Sequence, residues 1–306
     1  TGEHAVLRSV AVSPGDPSHV FAASQFDGFY RSTQGGASGT WVRQTDGMTA
    51  AAVAGLAICR DVPAAIYAGA NGTGYLKSTD AGDTWTGIGT FGDDYLQDLD
   101  VHPVDPSIMI TGTRLITRRT TDGGATFSGV SFPGAGGIAF RFNPATPNLA
   151  YASSWGRTSR WYSNDTGATW SQPAPLGMYA FRYDFHPSLA IVFNLVTNGP
   201  GLYMTWSTTG GTSWDSTPLG VELNPWYDFA LDQSDPSTLY FAAMLNDGTA
   251  GIHKCTVSYS GSNVSSITVL PGTFNSGLTN TTVFRLLYRT GALYASTSSG
   301  IFRSLD

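Results

Sequence analysis

The sequence predicts an all-β protein, a seven-bladed β-propeller that occupies residues 1–306 as a single domain. Three observations support this prediction. An octapeptide recurs at intervals of 42 to 44 residues, two strand-like runs joined by a proline turn precede it, and no helical periodicity competes with the strand pattern. A repeat period of about 40 to 50 residues is typical of propeller blades. A blade cannot bury both faces of its sheet alone, so blades stack radially in a ring.

The octapeptide has the general form Ser-x-Asp-x-Gly-x-Thr-Trp. It occurs at 78–85, 120–127, 163–170 and 207–214, and a looser copy with two inserted residues covers 32–41. A short Asp side chain can accept hydrogen bonds from backbone N–H groups of its own turn, the Gly permits positive φ, and the final aromatic residue can pack between adjacent sheets. We therefore predict a structural role for Asp80, Asp122, Asp165, Trp85, Phe127, Trp170 and Trp214.

The paired strand-like runs number seven, which predicts seven blades. They are clear at 10–24, 99–113, 140–154 and 229–244, and weaker at 56–70, 183–197 and 286–298. Within a blade, the octapeptide is expected to form the turn between the third and fourth strands.

The end of the chain resembles a third strand. Residues 300–306 match 28–34 and 74–80, so blade 7 is predicted to lack a full outer strand. We expect residues 2–5 to lie near Phe302 and to close the ring partially. An exposed sheet edge there would favour pairing with another protein chain.

Composition limits the partners. Charged residues are 12% of the chain, the net charge is −6, and no basic run could neutralise a series of phosphates, which argues against nucleic acid. No stretch of about 18 apolar residues predicts a membrane span, and no signal peptide is present in this chain. Low charge, only two lysines and four Asn-x-Ser/Thr sites favour a secreted or cell-surface protein. The histidines lack metal-ligand spacing, so we predict no metal and no cofactor.

The inner strands of a propeller line its central channel, and one position can be aligned across them. The seven aligned residues are Ser9, Gly55, Asp98, Ala139, Arg182, Asp228 and Arg285, of which four are charged. Burying an unpaired charge costs free energy, so four charged residues at equivalent inner-strand positions indicate a channel that is polar for a structural or functional reason. Two interpretations remain open: the charges bind a ligand, or they form a salt-bridge network that plugs the channel.

The loops at one mouth of the channel combine aromatic residues with carboxylates and arginines. Pyranose rings stack on aromatic side chains while charged groups bind their hydroxyls, so this mixture favours a carbohydrate or polysaccharide as partner. The predicted ligand-binding residues are Asp98, Arg182, Asp228, Arg285, Tyr95, Tyr179, Trp226 and Trp155. Hydrolysis of a glycosidic bond would need two carboxyl groups about 5 to 9.5 Å apart. The candidates for this role are Asp94, Asp98 and Asp228.

The octapeptides resemble the Asp-box (BNR) repeats of a superfamily that includes sialidases, xyloglucan-specific endoglucanases and sortilin-type receptors. The resemblance covers nearly the whole chain and implies a propeller with Asp-box turns between its third and fourth strands. In the xyloglucanase-like members a strand of the type Tyr-Ala-Arg-Thr-Asp leads through Gly-Gly to Tyr-Arg, and residues 21–31 are similar to it, but Gln25 stands at the catalytic Asp position. The Arg-Ile-Pro element of sialidases is missing, although Arg8, Arg182 and Arg285 could converge on a carboxylate by position.

Three functions follow from these observations. The first is an exported glycan-binding or interaction propeller that uses the loop-lined mouth of the channel. The second is a glycoside hydrolase or polysaccharide lyase that acts at the same mouth. The third is an assembly module that pairs through the edge of blade 7.

Overall fold

The computed structural model describes residues 6–48, 52–71, 74–90, 96–113, 115–130, 137–154, 160–173, 179–199, 201–220, 228–244, 250–279 and 282–305. These residues form 26 strands in seven antiparallel sheets, and they contain no helix. No apolar helix that could cross a membrane is therefore found in this part of the chain. The seven sheets confirm the predicted all-β, seven-bladed propeller.

Blades 1 to 3 each have four strands, in chain order within the sheet. Blade 1 contains β1 (Leu7–Val12), β2 (Val20–Ser24), β3 (Gly28–Ser32) and β4 (Trp41–Arg43). Blade 2 contains β5 (Val53–Ile58), β6 (Ile66–Ala70), β7 (Gly74–Ser78) and β8 (Thr86–Gly89). Blade 3 contains β9 (Leu96–Val101), β10 (Met109–Thr113), β11 (Thr117–Thr120) and β12 (Ser128–Val130).

Blades 5 and 6 also have four strands, whereas blades 4 and 7 have three in the described residues. Blade 4 contains β13 (Gly137–Phe142), β14 (Ala150–Ser154) and β15 (Arg160–Ser163). Blade 5 contains β16 (Tyr179–Phe185), β17 (Val192–Asn198), β18 (Gly201–Ser207) and β19 (Asp215–Pro218). Blade 6 contains β20 (Asp228–Leu231), β21 (Thr238–Met244), β22 (Ala250–Ser260) and β23 (Asn263–Val269). Blade 7 contains β24 (Val283–Arg289), β25 (Ala292–Thr297) and β26 (Gly300–Ser304).

The first strand of every blade is the innermost one. These strands contact one another in a closed ring, in the order β1, β5, β9, β13, β16, β20, β24 and back to β1. Each is also the edge of its sheet, because it pairs only with the second strand of its blade. The inner strands therefore line the channel and present one unpaired side of their backbone to the neighbouring blade.

The outer parts of blades 4 and 6 differ from those of blades 2, 3 and 5. Blade 4 carries the octapeptide at 163–170, and in the residues described after it, up to 173, an isolated bridge joins Ser171 to Tyr162. Pro173 comes two residues later, and proline has no N–H to donate to a strand ladder. Blade 6 lacks the octapeptide, and β22 and β23 form a hairpin closed by Gly261 at φ +60° instead. The region predicted to complete blade 7, residues 2–5, lies outside the described residues.

The repeated turns between third and fourth strands are held by side-chain hydrogen bonds. In blade 2, Asp80 accepts hydrogen bonds from Thr84 N at 2.9 Å and Thr84 Oγ1 at 2.6 Å, while Ser78 Oγ accepts from Gly82 N at 2.8 Å. Gly82 has φ +87°, a left-handed conformation that favours glycine. Asp122 and Asp165 make the same pair of contacts, with Thr126 and Thr169 respectively.

The aromatic residue that closes each turn packs on the preceding blade. Trp85 of blade 2 lies with its ring centre 4.8 Å from that of Phe29 in blade 1, and Phe127 of blade 3 lies 4.7 Å from Tyr75 in blade 2. Trp170 and Trp214 pack in the same way against blades 3 and 4. Because each such ring buries a large apolar area, these contacts join neighbouring sheets into shared cores.

Candidate functional site

The charged residues that the sequence aligned on the inner strands do meet in the channel. Arg182 lies on β16 and Asp228 on β20, and Arg182 Nε is 3.3 Å from Asp228 Oδ1. Arg285, on β24, approaches the other oxygen of the same carboxylate, with Nε 3.9 Å from Oδ2. Blades 5, 6 and 7 are thus linked by one carboxylate between two guanidinium groups.

Asp98 has a partner that the sequence analysis missed. Arg141 on β13 places Nη1 at 3.1 Å from Asp98 Oδ2, which links blade 3 to blade 4. Arg141 follows Ala139, the uncharged residue of blade 4 in the inner-strand alignment, by two positions. Side chains two apart on a strand point to the same face, so this period of two was the signal that could have identified Arg141.

The same spacing identifies two more acidic residues on the inner strands. Asp100 follows Asp98 on β9, and Asp184 follows Arg182 on β16. No ion pair between either residue and an arginine is formed within the described part of the chain. Each instead accepts a backbone hydrogen bond from the next blade.

Carboxylates of blades 3, 5 and 6 all bind the inner strand of the following blade. An edge strand has N–H groups that its own sheet cannot satisfy, and a buried N–H without an acceptor is unfavourable. The acceptor–donor pairs are Asp98 with Phe140, Asp100 with Phe142, Asp184 with Leu231 and Asp228 with Leu286, at N–O distances of 3.0, 2.8, 3.0 and 2.8 Å. The acidic residues of the channel therefore join adjacent blades.

The environment moves the pKa values of Asp98, Asp100 and Asp184 in different directions. Burial raises the pKa of Asp100 to about 6, and burial also raises the pKa of Asp184 above its ordinary value. Burial acts in the same direction on Asp98, but the positive charges of Arg141, Arg285 and Arg182 and the N–H of Phe140 hold its pKa below the ordinary value. Asp98 is therefore ionised at neutral pH.

The three guanidinium groups also influence one another. Burial, followed by the positive charges of Arg141 and Arg285, lowers the pKa of Arg182 well below its ordinary value. Two buried guanidinium nitrogens, Arg141 Nη2 and Arg285 Nε, find no hydrogen-bond acceptor among the described residues. Within the described ranges, the arginines are thus crowded and incompletely paired.

Arg8 belongs to a separate contact. Its Nε donates to Gln25 Oε1 at 2.8 Å, and its guanidinium lies 4.4 Å from the centre of the Phe284 ring. Arg141, and not Arg8, is the third guanidinium of the ion-pair cluster with Arg182 and Arg285. Gln25 stands at the catalytic Asp position of the xyloglucanase-like proteins, and its amide is not acidic enough to act as a general acid.

Several predicted residues lie where the structure gives no description. Asp94, Tyr95, Trp155 and Trp226 are outside the described residues, and only the backbone of Tyr179 is described, at the start of β16. The roles of these residues at the channel mouth, and that of Asp94 as a candidate catalytic carboxyl group, stay predictions. Across the described ranges, no three His, Cys, Asp or Glu side chains are grouped as metal ligands.

The fold can be compared with those of known proteins. No protein-family model matches the chain, and no curated protein matches it significantly. Among solved structures, an ancestral GH74 enzyme superposes with a TM-score of 0.78 at 13% sequence identity. The superposition covers 99% of this chain and 45% of the GH74 chain. The GH74 xyloglucanase from Xanthomonas campestris gives 0.75 at 18% identity, covering 100% and 52%. YCF48 bound to D1 peptide gives 0.68 at 13% identity, covering 99% and 92%.

These likenesses differ in extent. The chain spans about half the length of the GH74 structures that it matches, and nearly the full length of YCF48. At identities of 13 to 18% they inform on architecture only. Together with the closed ring of inner strands, they identify this protein as a seven-bladed β-propeller.

Proposed function

We propose that this protein is an exported propeller that binds a saccharide at the loop-lined mouth of its central channel. One observation carries the proposal. The four carboxyl groups described in the channel each accept a backbone N–H from the adjacent blade, and two of them also contact arginines. Carboxylates in that role build a rigid, charged site, whereas a glycosidase needs one carboxyl group to release a proton and another to attack or activate water.

The structural neighbours support a surface of this kind. GH74 enzymes, one of them a xyloglucanase, and a propeller bound to a peptide share the architecture. The resemblance to Asp-box propellers points to glycans, and Gln25 at the catalytic Asp position of the xyloglucanase-like members points to binding without hydrolysis. The predicted aromatic residues of the mouth would provide stacking surfaces for sugar rings.

A glycoside hydrolase is the second candidate, and a specific observation favours it. Asp98 and Asp100 lie on the same face of β9 with pKa values displaced in opposite directions. Two carboxyl groups with separated pKa values are the usual basis for acid and base roles in one site. Against this candidate, the Asp98 carboxylate is only 9% exposed and already holds Arg141 and a backbone N–H.

A glycan panel distinguishes the two candidates. The purified protein is first tested for retention on immobilised neutral and acidic polysaccharides, and the same polysaccharides are then assayed for new reducing ends. We expect retention without cleavage. The variant Trp226→Ala combined with Tyr179→Ala should lose retention, whereas Tyr203→Ala, on the third strand of blade 5, should keep it. Release of reducing ends that stops in Asp100→Asn would establish the hydrolase instead.

A further inference from the structure

The outer edge of blade 7 has no partner strand in the described chain. β26 pairs with β25 alone, whereas the third strands of blades 1 and 2, β3 and β7, each also pair with a fourth strand. The three strands are equivalent in register, because each begins at a glycine and pairs over five residues with the second strand of its blade. Blade 7 therefore differs from blades 1 and 2 on the outer side of its third strand.

The backbone of β26 offers hydrogen-bonding groups on that outer side. In blade 1, the carbonyl of Phe29 faces the fourth strand and accepts the N–H of Gln44 at 2.9 Å. Backbone groups alternate between the two sides of a strand, and Phe29 corresponds in register to Ile301. The N–H and C=O groups of Ile301 and Arg303 therefore point away from β25. A strand edge of this kind can pair with another chain.

The side chains of β26 are less covered than their counterparts in blades 1 and 2. Tyr30 of β3 and Leu76 of β7 are 7% and 1% exposed. Phe302 stands at the same position of its strand but is only half-buried, and Leu305, just beyond the strand, is 65% exposed. Because burial of apolar surface is favourable, this edge gains from being covered.

A cavity of about 740 Å³ lies beside this edge, between blades 7 and 1. Its walls include β26 and, in the turn of blade 1, Gly36 and Trp41. The equivalent place between blades 2 and 3 is filled by Ile88 of the fourth strand, which lies against Gly124 and in one cluster with Phe127. Gly124 and Phe127 hold the positions of Gly36 and Trp41 in their turn. The cavity therefore has room for an apolar side chain of an added strand.

Arg303 gives this edge a positive charge. The corresponding residue of β3, Arg31, pairs with Asp83 of the next blade at 2.6 Å. The guanidinium of Arg303 lies beside Gly35 of blade 1, and it forms no ion pair with a carboxylate of the described residues. Since Arg303 also lines the cavity, a carboxylate on an added strand could pair with it.

Lys254 of blade 6 adds a second positive charge. In blade 2, Lys77 pairs in register with Tyr67, and its Nζ donates to the carbonyl of Gly123 in the octapeptide turn of the next blade, at 3.4 Å. Lys254 pairs in the same way with Tyr240. The next blade is blade 7, whose described residues contain no octapeptide turn. A turn that leads into an added strand would therefore meet Lys254.

We propose that the edge of blade 7 is a strand-addition site for an extended, acidic segment of another protein. The segment pairs antiparallel with β26 and becomes the fourth strand of the blade. Backbone hydrogen bonds to Ile301 and Arg303 hold it, an apolar side chain enters the cavity, and carboxylates beside Arg303 and Lys254 make the site selective for acidic sequences. The site lies on the outer rim of the ring, so the inference does not depend on the saccharide-binding function.

A peptide with the sequence of residues 79–90 is the probe. It contains the turn and the fourth strand of blade 2, with two carboxylates, Asp80 and Asp83, and the apolar Ile88. Fluorescence anisotropy of the labelled peptide should show saturable binding to the native protein. Absence of saturable binding would overturn the proposal.

A proline substitution tests the backbone pairing. Ile301→Pro should weaken peptide binding by about tenfold, because proline has no N–H for the added strand and the groups that face β25 are kept. Gly129→Pro is the matched control, since the N–H of Gly129, on the outermost strand of blade 3, also points outward. The control should bind the peptide as the native protein does, and equal losses in the two variants would refute the edge as the site.

A neutral peptide tests the charge. Replacement of both aspartates of the peptide by asparagine should weaken binding by about threefold, as expected for partly exposed ion pairs. The difference between the two peptides should disappear when Arg303→Gln is combined with Lys254→Gln. Equal affinity of the native protein for both peptides would refute the preference for acidic segments.

Hydrogen exchange of the native protein covers the case in which Ile301→Pro does not fold. The amides of Ile301 and Arg303 should exchange rapidly without the peptide and be protected when it saturates the protein. Protection without the peptide would show that this chain already covers its own edge, and it would overturn the proposal. A dimer of the native protein that Ile301→Pro abolishes would assign the edge to a second copy instead of another protein.

Discussion

Arg182 of blade 5 holds Asp228 of blade 6 through a contact of 3.3 Å between Nε and Oδ1, and it does so where the Asp228 side chain is only 3% exposed. The same carboxylate approaches Arg285 and accepts the N–H of Leu286. One side chain therefore joins three blades at the channel. Its removal should affect the stability of the whole ring.

We expect Asp228→Asn to destabilise the protein by about 3–5 kcal/mol, because breaking a buried ion pair leaves uncompensated charge in the interior. Asp83→Asn is the control, since Asp83 pairs with Arg31 at 2.6 Å but is 56% exposed, and exposed pairs contribute about 1 kcal/mol or less. Urea unfolding followed by tryptophan fluorescence measures both variants. Equal losses in the two variants would contradict a structural role for Asp228.

The octapeptide turn of blade 5 offers a stabilising substitution. Thr209 stands where the other turns have Asp, and its Oγ1 accepts the N–H of Ser213 at 3.0 Å. The same Oγ1 also lies 2.9 Å from Ser213 Oγ. In Thr209→Asp an ionised carboxylate should accept from both Ser213 N and Ser213 Oγ, as Asp80 does with Thr84, and these charge-assisted hydrogen bonds should gain about 0.5–1.5 kcal/mol. Unfolding in urea provides the measurement. The reverse substitution, Asp80→Thr, should destabilise blade 2, and stabilisation by it would contradict the assignment.

The pH dependence of stability should reveal Asp100. Burial raises the pKa of Asp100 from its ordinary 3.8 to about 6, so between these values the folded state binds a proton that the unfolded state does not. Native stability relative to Asp100→Asn, which cannot titrate, should therefore be greatest at low pH and fall by on the order of 2 kcal/mol as pH rises from about 4 to about 7. Unfolding curves for both proteins at several pH values test this. Parallel profiles would show that Asp100 does not titrate as described.

The repeats predict the fold better than they predict the site. A blade is set by strand pairs and turns that repeat with the chain, so the period of 42 to 44 residues leads directly to seven sheets. It does not predict the isolated bridge of Ser171 with Tyr162, which is followed by Pro173, after the turn of blade 4. It also gives no sign of the hairpin that supplies the fourth strand of blade 6.

The cluster in the channel was only partly predictable. Aligning one position per inner strand brought Asp98, Arg182, Asp228 and Arg285 together, because propeller symmetry converts equivalent positions into neighbours around the axis. Arg141 and the second acidic residues stayed unnoticed since they lie one strand period further along. The distances between the arginine and aspartate side chains depend on their conformations at the crowded channel axis, which the repeat does not specify. The loops at the channel mouth do not follow the repeat either.

The backbone contacts made by the channel carboxylates all run in one direction around the ring. They occur at the junctions of blades 3 with 4, 5 with 6 and 6 with 7, whereas β1 and β5 carry Ser9, Ala11, Gly55 and Ala57 at the corresponding positions. In the part of the chain that the structure describes, the three consecutive junctions from blade 7 through blades 1 and 2 to blade 3 therefore lack these hydrogen bonds from a channel carboxylate to the next blade. We therefore expect these junctions to be the least stable part of the ring. Amide hydrogen exchange should begin there, and the ring should open at these junctions before the remaining blades separate.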